Sequence, residues 1–142
     1  MAPQVEEASR NFKVPVMRHD YPLPMHAWSY DAAVLARYFD TQSKNLGNEF
    51  RDTVFKNQND ITRGNLHEFA QKFANDHKVD LPFVIDPQGK LADEVNADKN
   101  LGNRMGINHT PTIYVVTSNP SAQPVEVNDA TQLAQAIEQV RQ

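Results

Sequence analysis

The chain contains five histidines and no cysteine, and the lack of sulfur restricts the chemistry that it can do. Thiol–disulfide exchange requires a thiolate that attacks a sulfur atom, and no other side chain replaces it. The sequence therefore predicts that these 142 residues carry out no thiol or disulfide chemistry. No catalytic residue is assigned.

The surroundings of the histidines do not predict a metal site or a hydrolase. His67 and Glu68 begin like the zinc-protease motif His-Glu-x-x-His, but Gln71 stands where the second zinc ligand is needed. His19 and Asp20 are neighbours in a predicted strand, so their side chains should lie on opposite faces. We expect no metal and no cofactor, and a hydrolase built on any of the histidines lacks a supporting constellation.

Composition excludes two classes of partner. The net charge is -4, so the chain offers no electrostatic reason to bind nucleic acid, which is held by clustered Lys and Arg. No apolar run approaches the roughly 18–20 residues that span a bilayer, and we expect no membrane insertion. The first residues lack the basic start and apolar stretch of a secretory signal.

Periodicity predicts a mixed α/β domain. A helix covers the first twelve residues, and its start, without a residue to cap it, indicates a chain that begins inside an element. Residues 13–21 alternate apolar and polar side chains and predict a strand, with Pro15 favouring an edge or a strand start. Helical patterns then dominate residues 27–104, with Gly47 as a possible interruption.

Within the helical stretch, four phenylalanines predict a core rather than a stacking platform, and Asn65 with Glu68 matches a capping box for the helix that follows. The phenylalanines are Phe50, Phe55, Phe69 and Phe73.

The last third predicts a hairpin and a closing helix. Residues 112–116 are β-branched and aromatic, and residues 125–127 form a short returning strand, which together favour an antiparallel pair. Asp129 and Gln132 match a second capping box, after which Leu133, Ala136 and Ile137 give the final helix an apolar face.

Several segments together resemble a known family. The sequence MGINHTPTIYVV at 105–116 is similar to the cis-proline loop and following strand of thioredoxin-fold proteins. The sequence DYPLPMH at 20–26, with DAA at 31–33, QSK at 42–44 and FKNQ at 55–58, resembles the DsbA-like thiol–disulfide oxidoreductases. The resemblance extends over nearly the whole chain.

The resemblance implies a thioredoxin-like α/β fold with an inserted helical subdomain at about 27–104 in a single domain of residues 1–142. It also implies a cis Thr110–Pro111 bond, with the backbone of Thr110 available to an extended substrate strand and His109 beside it. Family members begin with a strand followed by Cys-x-x-Cys, and residues 2–5 resemble the helix just beyond those cysteines. We therefore expect a chain truncated at its N-terminus, with the first, central β-strand missing.

Two functions follow as expectations. The first is a redox-inactive piece of a DsbA-like oxidoreductase, and the second is a cysteine-free module that binds extended polypeptides at residues 109–111. A missing central strand would leave sheet edges exposed and favour either rearrangement or a homodimer through those edges. For the compartment, the absence of cysteines and of a signal favours the cytoplasm, whereas the resemblance implies an extracytoplasmic parent protein.

Overall fold

A computed structural model of the chain describes residues 2–23, 27–107, 112–118, 123–127 and 129–141. The described residues are mostly helical, with a small antiparallel sheet near the C-terminal end. They divide into two compact units. We call residues 19–106 the helical unit, and the described residues within 1–18 and 107–142 the split unit. No helix in these ranges is both long enough and apolar enough to cross a membrane.

The helical unit contains four helices. They are α2 (Ser29–Gln42), α3 (Lys44–Lys56), α4 (Leu66–Asp76) and α5 (Lys90–Arg104). Helices α2 and α3 are separated at Ser43, whose backbone is extended and whose hydroxyl accepts a hydrogen bond from the Leu46 backbone N–H at 3.0 Å. The interruption expected at Gly47 was therefore wrong, because the serine caps a new helix four residues earlier.

Three phenylalanine rings form the centre of the core in the helical unit. Phe39 and Phe50 are fully buried, Phe73 is nearly so, and their ring centroids lie 4.8–5.1 Å apart. Phe69 packs against this core while partly exposed. The prediction for Phe55 was wrong, because 59% of this residue is exposed.

The side-chain cap predicted for α4 is absent, and α5 has a side-chain cap that was not predicted. Asn65 makes no capping bond to α4, and its carboxamide oxygen instead accepts from the Thr62 backbone N–H at 2.7 Å. Helix α5 begins after Gly89, whose backbone has the left-handed conformation that glycine adopts without strain. The carboxylate of Asp86 accepts hydrogen bonds from the backbone N–H groups of Leu91 and Ala92, and so serves as the cap of α5.

The split unit contains α1 (Ala2–Phe12), β1 (Ile113–Val115), β2 (Val125–Val127) and α6 (Leu133–Arg141), with a 3-10 turn at Ala130–Gln132. The strands pair antiparallel, which confirms the predicted hairpin, and Tyr114 lies opposite Glu126. Val127 and the apolar face of α6 form a small core with Ala8 of α1. Ile113, Val115 and Val125 pack against this core, so one face of the sheet is covered.

The strand predicted at residues 13–21 is absent from the described residues, and residues 14–20 have no regular secondary structure. Helix α1 ends at Phe12, and Lys13 directly after it has a left-handed backbone. Pro15 has no backbone N–H to donate to a neighbouring strand. Val16 and Met17 are both exposed, so the alternation there does not bury a face. At Asp20 the backbone N–H donates to the carboxylate of Asp98, 3.0 Å away, rather than to a strand.

Candidate functional site

The residues that the sequence nominates for substrate binding, His109, Thr110 and Pro111, lie outside the described residues, as does His26. The chain on either side of the nominated residues is described. Helix α5 ends at Arg104, and β1 begins at Ile113. The nominated residues therefore lie a few positions before β1 in the sequence.

A network of charged side chains, which sequence reasoning missed, lies in the helical unit. We call it the ion network, and it consists of His19, Asp20, Arg37, Asp40, Lys44, Arg51 and Asp98. The Asp and Arg side chains of this network are between 9% and 16% exposed. Burial of so many charges is costly unless each one is paired, so the individual contacts decide what the network does.

Arg51, on α3, lies at the centre of the ion network and uses all its hydrogen-bond donors. Its guanidinium binds Asp20 through Nε at 2.7 Å and Nη2 at 3.0 Å. The same group binds Asp40 through Nη1 at 2.9 Å and Nη2 at 2.7 Å, and Nη1 also reaches Asn48 at 3.2 Å. A guanidinium has five N–H donors, and these five bonds engage them all. Arg51 therefore has no donor left for a ligand.

The other half of the ion network joins the segment before α2 to helices α2 and α5. Asp98 on α5 accepts from Arg37 Nη2 and from the backbone N–H of Asp20, and its second oxygen lies 2.8 Å from His19 Nδ1. Arg37 Nε lies 3.0 Å from the Asp20 carboxylate, a charge contact without the direction of a hydrogen bond. His19 and Asp20 are neighbours in the chain, and both contact the Asp98 carboxylate, because His19 uses its ring and Asp20 uses its backbone N–H.

Electrostatics keeps Asp40 and Arg51 of the ion network ionised. Burial alone would raise the pKa of Asp40, but the hydrogen bond and charge of Arg51, with a smaller effect of Lys44, lower that pKa below its ordinary value of 3.8. Burial alone would lower the pKa of Arg51, and its bonds to Asp40 and Asp20 raise that pKa instead. A Cβ on Gly47 would overlap the Asp40 carboxylate, so glycine is required beside this pair.

The ion network is suited to holding the helices together rather than to catalysis. Its carboxylates are engaged by arginines and backbone groups, and it contains no nucleophile next to a base. Among the described residues no group of three or more His, Asp or Glu could hold a metal ion. The network was missed because its members lie up to 79 positions apart in the chain. A local sign of the network is that Arg37 on α2 and Arg51 on α3 each stand next to a buried apolar residue.

The two remaining described histidines lie outside the network. His67 is exposed at the start of α4. His77 packs its ring against Phe73 with centroids 4.1 Å apart, its Nδ1 lies 2.9 Å from the Phe73 carbonyl oxygen, and its Nε2 lies 3.3 Å from Glu49. Both positions favour structural or solvated roles.

The helices and the small antiparallel sheet define a mixed α/β protein that is mostly helical in its described residues. A family model described as thioredoxin matches residues 2–137. The chain therefore belongs to the thioredoxin family, whose fold is that of thiol–disulfide oxidoreductases, and it has no cysteine. No curated protein and no solved structure matches the chain.

Proposed function

We propose that this chain is a DsbA-like member of the thioredoxin family that binds extended polypeptides at residues 109–111 without exchanging disulfides. One observation carries the proposal: the family match runs through residue 137, across the nominated loop, while the whole chain contains no cysteine. In this proposal the chain has the polypeptide-binding loop of a thioredoxin-type site but not the cysteines that react with disulfides.

The chemistry of the proposal requires only main-chain groups. An extended polypeptide presents alternating N–H and C=O groups, and a loop backbone can pair with them as a strand would. In this proposal Thr110 supplies that backbone, Pro111 restricts its conformation, and His109 lies beside the bound polypeptide. No thiolate is needed for binding, whereas electron transfer to or from a disulfide requires one.

The DsbA-like assignment is supported by the arrangement of helices along the chain. Helices α2 to α5 form a compact unit between the two sequence segments of the split unit. An inserted helical block of this kind is what the resemblance of residues 20–58 to DsbA-like oxidoreductases implies. The ion network gives the block its own internal support, because all of its members lie within residues 19–106.

Binding and redox activity are tested on the same 142-residue protein. Binding is measured by fluorescence anisotropy with a labelled, cysteine-free, extended peptide, and redox activity by reduction of insulin disulfides with dithiothreitol. We expect saturable binding, and a rate of insulin reduction equal to that with dithiothreitol alone. The variant Pro111→Ala should weaken binding by roughly tenfold, which is about 1.4 kcal/mol. The control Pro82→Ala, at an exposed position of the helical unit, should bind as the wild type does.

Two results would refute the proposal. Acceleration of insulin reduction by the chain would show that it does redox chemistry without cysteine. Equal binding by the wild type and by a folded Pro111→Ala variant would remove the loop from the binding site.

A further inference from the structure

A groove runs along the split unit between β2 and α6. Its volume is about 200 Å³, and all three residues of β2 line it. No residue of β1 lines the groove. Because β1 occupies the opposite edge of β2, the groove lies at the outer edge of β2. We call it the edge groove.

The strand side of the edge groove offers unused main-chain groups. In an antiparallel pair, alternate residues direct their N–H and C=O groups to the partner strand, and the groups between them point away. Within the described part of the chain, β2 pairs only with β1, so the outward groups of Val125–Val127 have no protein partner there. Such an edge can accept one more strand.

The helix side of the edge groove carries a row of amides. Gln132, at the end of the 3-10 turn, and Gln135 and Gln139 of α6 line the groove and are exposed, while Leu133 and Ile137 are buried in the small core. The side-chain amides of these glutamines make no hydrogen bond to another described residue. An amide both donates and accepts, so the row can bind the polar main chain of a polypeptide in the groove.

The charge of the edge groove selects among the possible occupants. Glu126 is the central residue of β2, it is exposed, and it is the only charged residue that lines the groove in the described chain. In a symmetric antiparallel pairing of two β2 strands centred on this residue, the two Glu126 side chains would lie opposite each other, and like charges there are destabilising. A strand with Lys or Arg opposite Glu126 is favoured instead.

From these observations we propose that the edge groove binds an extended polypeptide segment with a basic residue at its centre, which adds to the sheet beside β2. The segment comes from another protein rather than from a second copy of this chain. This site is separate from residues 109–111 and does not depend on the function proposed for them. A structural role for Glu126, which would only protect the edge from aggregation, is the alternative that the experiment must exclude.

The probes are two acetylated and amidated pentapeptides of alternating threonine and valine, one with lysine and one with glutamate at the centre. Their binding to the full chain is followed by the backbone amide signals of residues 125–127 and the side-chain amides of the three glutamines. We expect the lysine peptide to bind at least roughly threefold more tightly than the glutamate peptide. The variant Glu126→Lys should reverse this preference. The control Glu138→Lys changes the net charge equally on an exposed residue that does not line the groove, and it should leave the preference unchanged.

Further arms separate the proposal from its alternatives. A lysine peptide with N-methylated backbone should lose binding, because it cannot pair with β2, and Pro111→Ala should leave binding at the edge groove intact. The proposal is wrong if both peptides bind equally or not at all, or if Glu126→Lys fails to reverse the preference. Sedimentation showing a dimer whose β2 amides become protected with increasing protein concentration would also overturn it, by assigning the edge to a second copy.

Discussion

The two units of the molecule differ in what stabilises them. The helical unit has a core with three mutually packed phenylalanines and a network of paired charges around Arg51. The split unit has a small core of alanine and aliphatic side chains and exposes the outer edge of β2. In the helical unit the charged side chains of the ion network pair with one another. In the split unit the main-chain groups at the outer edge of β2 and the glutamine amides of the edge groove can still bind a ligand. The edge groove, one of the two proposed polypeptide sites, accordingly lies in the split unit.

The largest effect is expected from removing one of the three phenylalanine rings at the centre of the helical unit. Phe39→Ala deletes a fully buried side chain that contacts both Phe50 and Phe73, and it should destabilise the protein by about 3–5 kcal/mol. Urea unfolding monitored by circular dichroism measures the change. The control Phe55→Ala removes the same side chain from an exposed position and should cost less than about 1 kcal/mol. Similar costs for the two variants would contradict the assigned core.

The second test removes the centre of the ion network. Arg51→Ala leaves the carboxylates of Asp20 and Asp40 buried without their bidentate partner, and we expect a loss of about 3 kcal/mol. Lys44→Ala removes a cation that contacts the same Asp40 from a side chain that is 59% exposed, and it should cost below about 1 kcal/mol. If Arg51→Ala were as mild as the lysine variant in urea unfolding, the network would not support the helical unit.

A smaller effect is expected in the core of the split unit. Ile137→Ala removes a buried side chain of α6, and a loss of about 2 kcal/mol is expected, because a small cluster can relax around the cavity. Val116→Ala, at an exposed position just beyond β1, should change stability by less than about 0.5 kcal/mol. Hydrogen exchange of the amides in β1 and β2 reports the loss locally. Unchanged protection in Ile137→Ala would show that α6 does not stabilise the sheet.

The smallest predicted effect is the contribution of Asp40 to acid sensitivity. Its pKa is below 3.8 in the folded state, so the unfolded state binds the proton more readily and this contribution to stability is present above the unfolded pKa. The contribution is lost as the pH falls from about 4 through the folded-state pKa of Asp40. The free energy of unfolding of Asp40→Asn should therefore depend less on pH in this range than that of the wild type.

The matched control for the acid test is Asp60→Asn, at an exposed position of the helical unit. It should keep the pH dependence of the wild type. Identical pH profiles for the wild type and Asp40→Asn would contradict the pairing of Asp40 with Arg51.

Local sequence patterns predicted the elements whose apolar residues repeat strictly. The N-terminal helix, α4, the hairpin and the apolar face of α6 are present as expected, since in each the periodicity alone specifies the buried face. The prediction of a strand at residues 13–21 was wrong. The alternation there is short, its apolar residues Val16 and Met17 are exposed, and Pro15 has no N–H to donate to a neighbouring strand. The capping box at Asn65 failed because the side chain bonds to a nearer backbone group at Thr62.

The features that the sequence did not predict depend on contacts between residues far apart in the chain. The ion network joins Asp20, Asp40 and Asp98 through two arginines, and no spacing rule relates positions so far apart. The exposure of Phe55, on the same helix as the buried Phe50, likewise depends on which side of α3 the other helices cover. The edge groove could not be predicted either, because it requires both the strand register and the placement of α6.

The most direct test of the central claim, that this chain binds extended polypeptides at residues 109–111 and at the edge groove, is a titration of the isotope-labelled chain with a cysteine-free extended peptide, followed by backbone amide NMR. We predict saturable shifts confined to residues 107–117, to β2 and to α6, with the amides of α2 to α4 unchanged. Shifts concentrated in α2 to α4, or no shift at any peptide concentration, would contradict the account.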